Sequence, residues 1–70
     1  MSVYKIIELV GTSEVSWEDA ARKAVETASK SLKDIRVAEV SELDLKMEEG
    51  KFVAYRAKMK ISFKYLEHER

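Results

Sequence analysis

Residues 51–65 read KFVAYRAKMKISFKY, and the fold turns on them. Val53, Tyr55, Ala57, Met59, Ile61, Phe63 and Tyr65 take every second position, with Arg56, Lys58, Lys60 and Lys64 between them. Neighbouring side chains on a strand point to opposite faces, so this alternation describes a strand with one dry and one wet face. Glu49-Gly50 just ahead of it is a turn signal, which makes the preceding residues a hairpin partner.

That partner, residues 35–48, is less regular. Ile35, Val37, Leu43, Leu45 and Met47 are apolar at odd positions, Glu39 and Ser41 interrupt them, and Ala38 and Val40 are apolar at even ones. The preferred face changes near residues 38–41, as it does where a strand bends or carries a bulge. At the other end of the chain, residues 2–10, SVYKIIELV, are β-branched and aromatic and stop at Gly11, the pattern of another strand.

Residues 16–32 form the one helical pattern. Trp17, Ala20, Ala21, Ala24, Ala28 and Leu32 recur at spacings of three and four, with Glu18, Arg22, Lys23, Glu26 and Lys30 off that stripe. Ser16 followed by Asp19 resembles a capping box, and Val15 stands where a hydrophobic staple would. The stripe is mostly alanine, so the helix can approach its neighbour closely. Trp17 is expected to fill the core at its start.

The chain is therefore a single α+β domain of order β-α-β-β, residues 1–70, with strands at about 2–10, 35–48 and 51–65 and a frayed tail at 66–70. The first strand can join either edge of the hairpin. A helix of about 17 residues spans roughly 25 Å, whereas strands of about 14 residues span roughly 45 Å. One helix cannot cover so long a hairpin, and the uncovered apolar length calls for another copy of the chain.

Composition narrows the function. The 70 residues include no cysteine, which excludes disulfides and thiolate metal sites. Thirteen basic and thirteen acidic side chains cancel, so there is no bulk charge for nucleic acid. No apolar run reaches the ~18 residues of a membrane span, and MSVYKIIELVG lacks the basic start of a signal peptide. A cytoplasmic protein without nucleic-acid or membrane partners is expected. Gly11 and Gly50 are the only glycines, so there is no glycine-rich phosphate loop. The only histidine, His68, sits in the charged tail, leaving no nucleophile-base-orienter set. The chain reads as non-enzymatic.

VYKIIELVGTS, SWEDAARKAVETAS, IRVAEV and YRAKMKISFK together resemble the dodecins, over nearly all of residues 2–65. The VGTS…SW combination ahead of an alanine-rich helix carries most of the specificity. The resemblance implies a three-stranded antiparallel sheet partly wrapped around one helix, and a hollow homododecamer. Most dodecins bind flavins (FMN or riboflavin) in pairs between subunits, stacking them on a tryptophan of the second strand and hydrogen-bonding them through a glutamine of the third. In this sequence those positions are Val37 and Arg56. Valine covers little of a planar ring and gives up the ~0.5–1.5 kcal/mol of aromatic stacking. Arg56 has donors only, where a glutamine amide offers donor and acceptor. A guanidinium can still stack or clasp a phosphate, so a flavin-storing dodecin using Arg56 is the alternative reading.

The calcium dodecins are similar in having IRVA and YR at these two places, which ranks calcium ahead of flavin as the implied ligand. The nearby candidate ligands are Glu39, Glu42 and Asp44. Calcium takes six to eight oxygens, more than one chain offers here, so a site would be shared across a symmetry axis. Glu42 and Asp44 point to one face. Equally, the three carboxylates can simply pair with Lys58, Lys60 or Arg36. The overall expectation is a dodecin-like shell that binds or stores a small ligand or ion, against a third reading as an oligomer without any ligand.

Overall fold

The computed structural model describes residues 2–67. Strand β1 (Ser2–Ser13) is followed by helix α1 (Trp17–Ser29), then by β2 (Ile35–Glu48) and β3 (Lys51–Glu67). The sheet is antiparallel throughout, in the order β1-β3-β2. The alternating strand is thus the central one, and β1 has joined its free side. Elements differ at their ends from the sequence expectation: β1 runs on to Ser13, α1 stops at Ser29, and β3 continues through Leu66 and Glu67. The expected frayed tail is therefore strand at its first two residues, paired with Val3 and Ser2 of β1. Its remainder, His68 included, lies outside the described residues.

Helix α1 begins where the Ser16 hydroxyl accepts the Asp19 N–H at 2.9 Å. The Asp19 carboxylate accepts the Ser13 hydroxyl at 2.6 Å and meets Lys23 Nζ at 3.1 Å, tying the end of β1 to the first turn. The helix ends early for a local reason. The Ser29 hydroxyl turns back onto the Val25 carbonyl at 2.9 Å, and the Ser31 and Leu32 N–H groups both close on the Ala28 carbonyl.

Ala20, Ala24, Ala28, Ala57, Met59 and Ile61 form the buried core, with Ile7, Leu9, Val25, Leu32 and Ile35 packed against it. The alanines permit a very close approach. A Cβ on Gly11 would collide with the Ala20 carbonyl oxygen and stand 3.0 Å from the Ala24 Cβ, so this position admits glycine alone.

β2 pairs with β3 through three register shifts, at Ile35/Val37, Val40/Glu42 and Lys46/Met47. They account for its irregular pattern. Opposed residues of an antiparallel pair share a face, so Leu45 goes with Tyr55, Leu43 with Ala57, Val40 with Met59, Ala38 with Ile61 and Ile35 with Phe63. The first two shifts each change the parity of β2 at a point where its apolar residues change parity. All of them except Val37 therefore end on the helix side. The third shift does the same to β3: Phe52, not Val53, joins Met47 and Tyr55 there, with its ring 4.9 Å from that of Tyr55.

The molecule measures 57 × 18 × 15 Å, while a 13-residue helix is only about 20 Å long. It lies over β1 and β3 and touches β2 least. Leu43, Leu45, Met47 and Phe52 are 50%, 45%, 51% and 45% exposed. Trp17 does not fill the core of the protomer, contrary to the sequence expectation: it is 38% exposed. As the first helical residue it reaches past the alanine core toward β2. There its indole N–H donates to the Asp44 carbonyl at 3.0 Å and its ring meets Tyr55 edge-on at 5.2 Å.

Candidate ligand-binding face

The same bulges that gather the apolar residues of β2 sort its polar ones onto the opposite face of the sheet, away from the helix. Val37 stands across from Ser62, Glu39 from Lys60, Glu42 from Lys58 and Asp44 from Arg56. The odd-numbered Glu39 joins the even-numbered Glu42 and Asp44 because Ser41 is the extra residue between them, its hydroxyl donating to the Lys58 carbonyl at 3.0 Å. Strand β1 completes the rows, with Ile6 beside Ser62, Glu8 beside Lys60, Val10 beside Lys58 and Thr12 beside Arg56.

All five residues singled out from the sequence thus share one face, but they are not one cluster. Val37 and Arg56 lie six residues apart along the β3 register, about 20 Å. A planar ligand touching both positions would need them from two copies of the chain.

Two of the three carboxylates, Asp44 and Glu42, meet cations rather than one another. Arg56 Nε and Nη2 donate to Asp44 Oδ1 and Oδ2 at 2.7 and 2.8 Å, a two-pronged pair. The hydrogen bonds from Arg56 hold the Asp44 carboxyl below its ordinary value, and the same bonds raise Arg56. Lys58 Nζ lies 3.1 Å from Glu42 Oε1. Arg36 turns to Asp34 at 3.9 Å and takes no part in these pairs. An open concavity of roughly 730 Å³ crosses the middle of the sheet, with Glu8, Glu39, Ser41, Glu42, Lys58 and Lys60 among its lining. Among the described residues no three acidic or histidine side chains come together as a metal cage. The Trp17–Asp44 bond was not foreseen from the sequence. The available signal was the indole donor at the helix start, which needs an acceptor close by.

A β-α-β-β chain whose central third strand carries β1 and β2, with one alanine-rich helix on a single face, can be compared directly with known proteins. The Dodecin family model matches residues 3–66. The chain belongs to the dodecin family. It is 50% identical over 64 residues to the calcium dodecin of Mycobacterium tuberculosis, covering 91% of this chain and 90% of that one. The crystal structure of the M. tuberculosis calcium dodecin, a calcium-chelating antigen with a novel calcium-binding site, superimposes with a TM-score of 0.82 at 47% identity, over 99% of both chains. The dodecin of Streptomyces coelicolor gives 0.85 at 30% identity, over 96% of each chain. Like these dodecins, the chain is a small sheet on a single helix. No helix among its described residues is long and apolar enough to cross a membrane.

Proposed function

We propose that this dodecin is a non-catalytic, self-assembling protein of the cytoplasm that binds or stores calcium, with a flavin pocket altered at Val37 and Arg56. The observation that carries the reading is the 50% identity with a calcium dodecin over nine-tenths of both chains. The geometry adds to it. Val37 offers no ring, and Arg56 is occupied by Asp44. Glu39, Glu42 and Asp44 line one face of an elongated protomer, where repetition across a symmetry axis would multiply them into an oxygen-rich site. A shared site fits the lack of a three-carboxylate cage within the described residues of one chain. Twelve copies in a hollow shell is the proposed assembly.

Calcium titration followed by calorimetry, with native mass measured in parallel, tests the reading. Saturable heat and bound calcium mass per assembly are expected. A colourless protein that leaves riboflavin fluorescence unquenched fits the altered pocket, whereas a yellow preparation would establish the flavin-storing alternative. Absence of both ligands would leave a structural oligomer.

A further inference from the structure

The Asp44–Arg56 pair is a two-pronged contact on the outer face of the sheet, the one away from the helix. Both carboxylate oxygens are engaged at 2.7 and 2.8 Å, and the Asp44 main chain is itself held by the Trp17 indole at 3.0 Å. Two residues along β3 on the same face stands Lys58, whose ammonium lies 3.1 Å from Glu42. Arg56 and Lys58 are therefore two cations about 7 Å apart along one strand, a spacing that suits the oxygens of a phosphate group. A guanidinium beside an ammonium is an ordinary phosphate clasp, but here each cation faces a carboxylate of β2.

We propose that Asp44 is the specificity-determining residue of this face: by engaging both prongs of Arg56 it closes an Arg56–Lys58 clasp that would otherwise take phosphate-bearing anions. An incoming phosphate has to separate the guanidinium from Asp44 and then remain beside a carboxylate, which opposes it by like charge. The selection is for charge, and it needs no change of shape. The proposal rests on the outer face being the ligand surface. It does not require that calcium be the ligand.

The test uses FMN as a phosphate-bearing probe, riboflavin as its phosphate-free control and inorganic phosphate as competitor. Asp44→Asn keeps the side-chain shape and removes the charge. It is expected to bind FMN at least tenfold more tightly than the unmodified protein, to bind riboflavin no better, and to release FMN to millimolar phosphate. Adding Arg56→Gln to Asp44→Asn should abolish the gain. Equal FMN affinity in the unmodified protein and Asp44→Asn would overturn the proposal, and so would a gain that survives the loss of Arg56. If Asp44→Asn fails to fold, the unmodified protein still decides by NMR. The Arg56 Nε–H resonance should stay in place as phosphate is added, and its displacement at low millimolar phosphate overturns the idea. Calcium titration of the unmodified protein is read separately, so failure of the calcium reading and failure of this one give different results.

Discussion

Asp44 touches both sides of the sheet: its carbonyl accepts the Trp17 indole N–H at 3.0 Å on the helix side, while its carboxylate holds Arg56 on the outer side. A second carboxylate, Asp19, ties the helix start to β1 through Ser13 and Lys23. These two aspartates anchor β2 and β1 to their neighbours, and both depend on being charged.

Acid should therefore loosen the protomer at these two points. The Arg56 hydrogen bonds lower Asp44, and the hydrogen bond from Ser13, followed by that to Lys23, lowers Asp19, each from an ordinary value of 3.8. A carboxyl whose folded pKa lies below its unfolded one contributes stability that is complete above the unfolded value and is lost as pH falls through the folded one. Melting temperature should hold between pH 7 and pH 5 as far as these groups are concerned, then fall below about pH 4. Asp19→Asn with Asp44→Asn should melt lower at pH 7 and show a shallower acid decline. An unchanged acid slope in the double variant would remove these two groups as the cause.

Gly11→Ala tests the close approach of helix and sheet. The new methyl meets the Ala20 carbonyl oxygen and the Ala24 Cβ, and overpacking of this kind costs about 1–3 kcal/mol. Ala24→Gly should give little rescue, since the harder clash is with backbone. Chemical denaturation of the single and double variants decides, and full rescue would mean the clash is with the side chain alone.

The hairpin turn offers a gain. Glu49 and Gly50 have φ of 50° and 75°, the two left-handed positions of a tight two-residue turn. Glutamate tolerates that region poorly and asparagine well. Glu49→Asn should stabilise the protein by about 0.5–1 kcal/mol, a fraction of the left-handed penalty. Loss of stability in the variant would show that Glu49 makes a compensating contact.

The order of elements and the one-sided helix were legible because both rest on local periodicity: alanines at three and four, apolar residues at two. The face change in β2 was legible too, but only as an irregularity. That it comprises two bulges on β2, and that they bring Val37, Glu39, Glu42 and Asp44 to the side of Arg56, depends on pairing with β3, which is set between strands and leaves no mark in either alone. Arg56's choice of Asp44 is likewise a matter of register. Trp17 was misplaced because helical spacing puts it on the apolar stripe, whereas as the first helical residue it stands a turn ahead of the buried Ala20 and reaches toward β2 instead. The separation of Val37 from Arg56 follows from the same register. It means that a Val37→Trp, Arg56→Gln variant would gain coupled flavin contacts only across copies of the chain.

The uncovered end of the hairpin makes the strongest demand on what the protein does next. Leu43, Leu45, Met47 and Phe52 lie together on the helix side, beyond the reach of α1, each about half exposed. Complete burial of such side chains is worth about 1.5–3 kcal/mol each, so half-exposure leaves about 1 kcal/mol apiece to be gained. Trp17 and Tyr55 border the same patch. A second copy of the chain is the expected cover, and native mass should correspond to about twelve subunits. Leu45→Lys places a charge in the middle of the patch without touching the alanine core. It should yield a smaller species by sedimentation while the isolated protomer keeps its circular dichroism signature. Trp17→Ala gives an independent reading of burial. The loss should approach the ~3–5 kcal/mol of a buried aromatic only if assembly covers the ring, and should stay well below that if the ring remains as exposed as in the lone protomer. A Leu45→Lys protein of unchanged mass, together with a small loss for Trp17→Ala, would show that the interface lies elsewhere.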